Sequence, residues 1–204
     1  MDIAQIYMMG SVTWLAVISP GADFAIISKN SSIHGRKAGL ASSLGIAMGC
    51  WVHISYAILG VMLIGNVLPD IFNIIRIIGA VYLAYLGITI CLSKPISQKT
   101  SQQEINRPTY QYFLNGFLTN SLNPKTSMFV ISLFVQIIGK DTALFIQLGW
   151  GGFISISHFI WFACVAWFMS TQKIRQYILQ KQYIFNYIIG SLLFMLSLML
   201  LLSE

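Results

Sequence analysis

The sequence predicts an all-α integral membrane protein that forms a single transmembrane domain over residues 1–204. Three observations lead to this prediction. First, 56% of the residues are hydrophobic and only 9% are charged, whereas soluble domains carry about 25% charged residues. Second, six apolar segments approach or exceed the roughly 20 residues that a helix needs to span a bilayer. Third, a proline interrupts the first and the fourth segment, at Pro20 and Pro124.

The six predicted transmembrane helices are separated by short polar segments. In chain order, the helices cover about residues 3–28, 38–64, 71–92, 112–138, 142–169 and 184–202. The longest polar stretch, residues 93–110, is the predicted central loop, and residues 29–37 and 170–183 are two basic loops. Lys140-Asp141 marks a tight turn, and Pro69 is suited to the first turn of the third helix.

Lysine and arginine are concentrated in the loops after helices one, three and five. These residues are Lys29, Arg36, Lys37, Lys94, Lys99, Arg107, Lys173, Arg175 and Lys181. The opposite side has Lys140, and Arg76 is expected to snorkel to that interface. Because basic residues favour the cytoplasmic side, we predict a multi-pass protein of the cytoplasmic (inner) membrane with both termini external. The same bias accounts for the net charge of +6, so the expected partner is the lipid bilayer and no nucleic acid.

The start of the chain, Met1-Asp2-Ile3, has no basic region and no small-residue cleavage site. We therefore interpret it as a retained first helix and not as a signal peptide. The protein's oligomeric state, including a homo-oligomer, is left open by the sequence.

The chain divides into two halves of three helices, which predicts two inverted repeats over residues 1–92 and 111–204. Three pairs of identical residues are separated by a nearly constant distance in sequence. Pro20 is 104 positions before Pro124, Gly45 is 104 positions before Gly149, and His53 is 105 positions before His158. Inverted repeats with helix breaks at matching places are a common plan of transporters. Three helices per half is an odd number, so related halves must be inverted.

A carboxylate and an ammonium lie beside the two proline breaks. Asp23 follows Pro20 and Gly21, and it is the only acidic residue inside an apolar segment. Burying a carboxylate at membrane depth costs at least ~2.5 kcal/mol. Lys125 directly follows Pro124 and should lie near mid-membrane, so we expect the two charges to face each other or a shared aqueous cavity. The alternatives are a structural ion pair between the halves and an Asp23 that only caps a helix.

Further polar residues are candidates for the same pathway. Asn120 and Asn123 are three residues apart and share one helix face, which in a membrane usually points into the bundle. His53 and His158 lie deep in helices two and five, where an imidazole of ordinary pKa ~6.5 can carry protons or hydrogen-bond a neighbouring helix. Tyr82 can line a cavity or pack between helices.

Other chemistries have weaker support in the sequence. Two histidines and Asp23 could bind a divalent cation, but the chain has no defined metal-ligand spacing and no cofactor-binding motif. Cys50, Cys91 and Cys164 lie far from both prolines in sequence, which argues against a membrane thiol or electron carrier. A membrane enzyme using Asp23 and His53 has no nucleophile motif to support it.

Small residues mark two helix faces for close packing. Ala41, Gly45 and Gly49 recur every fourth position in the second helix, where they allow a neighbouring backbone to approach. Gly149, Gly151 and Gly152 are expected to do the same in the fifth helix.

Four motifs in this order resemble the lysine exporter superfamily of small amino-acid exporters, which includes homoserine and threonine efflux proteins. The first motif is Ser19-Pro20-Gly21-Ala22-Asp23-Phe24, and the second consists of Asn30-Ser31, Gly35-Arg36-Lys37-Ala38-Gly39-Leu40 and Leu44-Gly45-Ile46-Ala47-Met48-Gly49. The third is Gly79-Ala80-Val81-Tyr82-Leu83-Ala84-Tyr85-Leu86-Gly87, and the fourth is Asn123-Pro124-Lys125 followed by an aromatic residue at Phe129. The resemblance covers nearly the whole chain. It implies export of an amino acid or a close derivative, driven by protons, and no enzymatic activity. Two positions depart from the family pattern: Ala22 replaces a second proline, and Val135 stands where many members have proline.

Overall fold

The computed structural model of the chain describes residues 3–67, 69–93, 108–138 and 142–202, which are helical almost throughout and contain no β-strand. The α-helices in this part of the chain are α1 (Ile3–Ile18), α2 (Ala22–Val67), α3 (Pro69–Cys91), α4 (Thr109–Ser121), α5 (Pro124–Leu133), α6 (Leu144–Met169) and α7 (Gln172–Leu202). A π-helical turn, Phe134–Ile138, follows α5. Most of the predicted central loop, the turn at Lys140-Asp141, both chain ends and the side chain of Arg76 lie outside the described residues.

The break that divides α2 is a single glycine. Gly35 has φ 81° and ψ −177°, a conformation that residues with a Cβ rarely adopt. It separates a first arm, residues 22–34, from a second arm, residues 36–67. Asn30 Nδ2 donates to Ser42 Oγ at 2.8 Å, whereas twelve residues of straight helix would separate the two by about 18 Å. The second arm therefore folds back along the first.

This arrangement corrects the predicted loop at residues 29–37, since the helix continues to residue 34 and only Gly35 interrupts it. The physical reason is that Asn30 and Ser31 are buried against the second arm and do not face water. The predicted loop at residues 170–183 is also mostly helix, because α7 already begins at Gln172. The breaks at Pro20 and Pro124 are confirmed: α1 ends at Ile18 before the first, and α5 begins at the second.

Glycine allows the second arm of α2 to pack closely against α4. A methyl group added at Gly45 would lie 2.0 Å from the Phe113 carbonyl oxygen. A methyl group at Gly116 would lie 2.1 Å from the Ser42 carbonyl oxygen. The predicted small-residue face of the second helix is therefore a helix contact, and its partner is α4.

In the fifth predicted helix, now α6, only one glycine behaves as predicted. Gly151 packs against Ile54, and a methyl group there would lie 2.7 Å from the Ile54 side chain. The prediction was wrong for Gly149 and Gly152, which have no atom within 4 Å of an added methyl group. Small residues permit close packing, but whether a neighbour uses that face depends on the helix arrangement.

The outer surface of the bundle is apolar. Large side chains such as Leu59, Ile78, Phe145 and Met199 are more than half exposed, which water-soluble proteins avoid over large areas. Three of the described stretches are long and apolar enough to cross a membrane, at Ala22–Val61, α6 and α7. The first includes the reversal at Gly35, so it corresponds to parts of two predicted spans. Six crossings in two inverted repeats remain a prediction.

Candidate functional site

Pro20 releases a backbone carbonyl group at the end of α1. Proline has no N–H, so the carbonyl oxygen four residues earlier, on Ala16, loses its helical partner. Ser19 Oγ donates to this oxygen at 2.5 Å and replaces the missing bond. The carbonyl oxygens of Ser19 and Pro20 themselves lie beyond the last turn of α1, where helix ends present unpaired acceptors.

Pro124 does the same at the end of α4. The carbonyl group four residues before it is on Asn120, and its oxygen lies 2.8 Å from His53 Nε2. Because a carbonyl oxygen can only accept, His53 Nε2 carries the hydrogen in this contact. The Asn123 backbone N–H donates to the same oxygen at 2.8 Å. Asn123 is also the N-cap of α5, since its side-chain oxygen accepts from the Lys125 backbone N–H at 3.0 Å.

Asp23 is buried in the first turn of α2, where its side chain is 6% exposed. Two amides of the other half of the chain donate to Asp23 Oδ2, Asn120 Nδ2 at 2.9 Å and Asn123 Nδ2 at 3.3 Å. Asp23 Oδ1 is buried and has no hydrogen-bond partner. One carboxylate oxygen is therefore held in place, and the other is free to bind a donor.

Lys125 is held by oxygens at the end of α1. Its Nζ donates to the Ser19 carbonyl oxygen at 2.9 Å, to the Pro20 carbonyl oxygen at 3.3 Å, and to Ser19 Oγ. These three acceptors match the three hydrogens of an ammonium group, and a cation at a helix C-terminus is favourable. The side chain lies across Gly21, where an added methyl group would be 3.4 Å from Lys125 Nζ. None of its hydrogen bonds goes to Asp23, so neutral groups hold both charges.

The two breaks hold each other's charge in a reciprocal pattern. Ser19, directly before Pro20, binds the lysine that follows the second proline. Asn123, directly before the second proline, binds Asp23, which follows the first. Each break thus supplies a charged residue and a partner for the charge of the other break.

Both charged residues line one small cavity of about 20 Å³. Its lining consists of Ala16, Val17, Ser19, Gly21, Asp23, Asn123, Lys125, Thr126, Phe129, His158 and Phe162. A water molecule needs about 10–15 Å³ on this measure, so the cavity has room for a water-sized group and not for an amino acid. Of the alternatives in the sequence prediction, a shared cavity describes the arrangement better than direct contact of the two charges.

The two histidines occupy different positions relative to this cavity. His158 lines the cavity, and its Nδ1 donates to the Ile154 carbonyl oxygen of its own helix at 2.8 Å. His53 lies behind Asn120 and continues a hydrogen-bonded chain, because its Nδ1 is 2.6 Å from the Tyr56 hydroxyl group. The Tyr56 hydroxyl group in turn contacts Ser127 Oγ.

Most of the predicted site residues meet at the two breaks, but Tyr82 does not. Tyr82 packs against the hydrophobic core from α3 and contacts the ring of Tyr85 at a centroid distance of 6.2 Å. Thr126, Phe129 and Phe162 also line the cavity, although they are not among the predicted site residues. Apolar residues in a membrane helix give no local signal that they face a cavity.

Comparison with known proteins identifies the family. The sequence model described as "LysE type translocator" matches residues 14–204. The chain belongs to the LysE type translocator family. Members of this family are membrane transporters and not enzymes, and the predicted family resemblance is confirmed. No solved structure matches the LysE-type chain significantly.

Named relatives of this LysE translocator include efflux proteins. A threonine efflux protein of Salmonella typhi is 28% identical over 173 residues, which cover 83% of this chain and 84% of the relative. A leucine efflux protein of Salmonella choleraesuis (strain SC-B67) is 32% identical over 132 residues, or 65% of this chain and 61% of the relative. The membrane protein YahN of Escherichia coli (strain K12) is 26% identical over 198 residues, which cover 96% of this chain and 88% of YahN.

Two alternative chemistries, thiol exchange and metal binding, depend on where the cysteines and the possible metal ligands lie. None of the three cysteines lines the cavity between the breaks. Among the described residues, no group of three His, Cys, Asp or Glu side chains could hold a metal ion.

Proposed function

We propose that the protein exports a neutral amino acid, or a close derivative of one, across the cytoplasmic membrane in exchange for protons. The observation that carries the proposal is the buried carboxylate of Asp23, which lines a shared cavity with Lys125 and keeps Oδ1 unpaired. The efflux relatives named for threonine and leucine support the substrate class.

The two charges of the cavity suit the two charges of an amino acid. A substrate ammonium group would donate to Asp23 Oδ1, the acceptor that lacks a partner. A substrate carboxylate would accept from Lys125 Nζ and compete with the oxygens of Ser19 and Pro20. Beyond these two charges, His158 is the one titratable side chain of the lining. The remaining walls are apolar or neutral, so a substrate with an uncharged side chain fits best.

Transport requires a more open conformation than this one. A cavity of about 20 Å³ excludes an amino acid, and the Lys125 contacts to Ser19 and Pro20 tie the two breaks together. A substrate carboxylate that takes over the Lys125 ammonium group would loosen this tie. We therefore interpret the structure as the closed state between substrate release and reloading.

Coupling to protons follows from competition for one carboxylate. Asp23 can bind either a proton or a substrate ammonium group, but not both. Substrate arrival from the cytoplasm would displace the proton, and protonation from outside would release the substrate. The reciprocal pattern at the two breaks also supports the proposed inverted repeats. The proposed orientation, with the basic segments cytoplasmic and both termini external, rests on the distribution of lysine and arginine in the sequence.

The test is export from proteoliposomes that contain purified protein and an imposed pH gradient. Labelled threonine, leucine and a charged amino acid serve as substrates. We expect gradient-driven movement of a neutral amino acid by the wild type, none by Asp23→Asn, and partial movement with a shifted pH dependence by Asp23→Glu. Asn186→Ala is the matched control, because Asn186 is buried but bonds to Ser93, remote from the cavity.

Asp23→Asn keeps the shape of the side chain, so we expect normal folding and insertion. Export by Asp23→Asn at the wild-type rate would show that Asp23 only caps a helix. His53 or His158 would then be the better candidate for the proton carrier.

A further inference from the structure

A second and much larger cavity lies behind the Pro20 break. It is a groove of about 560 Å³ between the start of α2, α6 and α7, here termed the α6–α7 groove. Apolar side chains such as Phe24, Val165, Phe168 and Ile184 form its walls. Pockets of 300–1,000 Å³ are the usual size for small-molecule ligands, but these walls are unsuited to a zwitterion.

The polar side chains of this lining include Trp161, Tyr177, Lys181 and Gln182, and among them Lys181 and Trp161 present donors that have no acceptor among the described residues. Lys181 lies on the wall with no hydrogen bond or ion pair among the described residues. Trp161 also lines the groove, and its indole Nε1 is buried without an acceptor. Leaving a buried donor unpaired costs about 1–3 kcal/mol, so a ligand that offers an acceptor to Trp161 Nε1 would be stabilised in the groove.

The charged residues of α7 near the groove are all positive. Lys173, Arg175 and Lys181 lie in the first half of α7, and residues 142–202 contain no acidic residue. A ligand that complements this surface has an anionic head for Lys181, an acceptor oxygen for Trp161 and a long apolar tail for the walls. In a membrane, the molecule with these three properties is an anionic phospholipid.

We propose that the α6–α7 groove is a binding site for one anionic phospholipid. Its acyl chain lies along the apolar walls, its phosphate binds Lys181, and an ester or phosphate oxygen accepts from Trp161 Nε1. A lysine near the membrane surface contributes about 1 kcal/mol to the binding of anionic lipid. The apolar walls of the groove add contacts to the acyl chain.

The site is placed to act on the transport cavity. Residues of the first break alternate between the two spaces, since Ser19 and Asp23 line the small cavity while Pro20 and Phe24 line the groove. The break is thus a wall with the substrate site on one side and the lipid on the other. A bound acyl chain packs against Pro20 and supports the closed arrangement of the break. This consequence for transport rests on the proposed function, whereas binding of the lipid does not.

The test is native mass spectrometry of the purified full chain in detergent, titrated with phosphatidylglycerol, phosphatidylcholine or a free fatty acid. We expect one tightly bound phosphatidylglycerol per chain and weaker phosphatidylcholine. Lys181→Gln should weaken phosphatidylglycerol about fivefold, the factor for one lost basic contact, and weaken phosphatidylcholine less, because the choline ammonium group already compensates its phosphate charge. The control Lys173→Gln removes a positive charge of α7 that does not line the groove, and should change binding less than twofold.

A second variant tests the apolar part of the site without touching a charge. Cys164 is exposed and lines the groove, so Cys164→Trp fills the groove without disturbing the core. It should reduce binding of both phospholipids at least tenfold. The proposal is overturned if neither variant changes phosphatidylglycerol binding, if the fatty acid binds as tightly as the phospholipid, or if the chain forms a dimer that excludes lipid. The two proposals can fail independently. If Asp23→Asn abolishes transport but still binds phosphatidylglycerol, the transport cavity and the lipid groove are separate sites.

Discussion

The contact between Lys125 and Ser19 should be one of the strongest links between the two halves of the bundle. Ser19→Ala removes the hydroxyl group that accepts from Lys125 Nζ and donates to the Ala16 carbonyl oxygen. A hydrogen bond to a charged group contributes about 1.5–3 kcal/mol, and a neutral one about 0.5–1.5 kcal/mol. Ser19→Ala should therefore lower the free energy of unfolding by roughly 2–4.5 kcal/mol.

A double-mutant cycle separates the two bonds. Lys125→Met keeps most of the side-chain length and removes the ammonium group. If the Ser19 hydroxyl group is a partner of Lys125, the cycle of Ser19→Ala and Lys125→Met should give a coupling energy of about 1.5–3 kcal/mol. The free energy of unfolding is measured by titration with sodium dodecyl sulfate in mixed micelles, followed by tryptophan fluorescence.

The matched control combines Ser19→Ala with Asn186→Ala. Asn186 is buried and bonds to Ser93 on another part of the bundle, so the two effects should add within about 0.5 kcal/mol. A coupling energy for Ser19 and Lys125 no larger than this control would refute the idea that they hold the breaks together. The reciprocal pattern would then have no energetic meaning.

Three further predictions test topology, packing and the second break. A reporter fused after Arg175 should be cytoplasmic and one fused at Glu204 external; a cytoplasmic C-terminus would contradict the inverted repeats. Gly45→Ala should destabilise the protein by about 3 kcal/mol because its methyl group would lie 2.0 Å from a carbonyl oxygen of α4, whereas Gly149→Ala, with no atom within 4 Å, should not. Pro124→Ala should reduce export more than it reduces protein level, because the restored backbone N–H competes with His53 for the Asn120 carbonyl oxygen. Equal losses of export and protein level would indicate that Pro124 has only a packing role.

The helix breaks and the charges beside them could be predicted because their causes are local. Proline lacks a backbone donor wherever it stands, so Pro20 and Pro124 end helices regardless of the fold. The apolar segments and the membrane class follow from side-chain hydrophobicity alone. The same locality explains why the predicted loop at residues 29–37 is wrong. Polarity alone predicts that this stretch faces water, whereas Asn30 bonds to the second arm of α2.

The partners of the charged groups were decided by the tertiary structure. Asp23 and Asn120 are far apart in sequence, yet their contact at 2.9 Å depends on how the first arm of α2 meets the end of α4. The sequence placed Asp23 and Lys125 near each other, and only the packed helices assigned neutral oxygens and amides to each. Gly149 makes the same point for packing, because a small residue permits a close contact and the arrangement of neighbouring helices determines whether one forms. The sequence by itself thus determined which groups are present at membrane depth and where helices break, and the tertiary structure alone decided which of those groups touch.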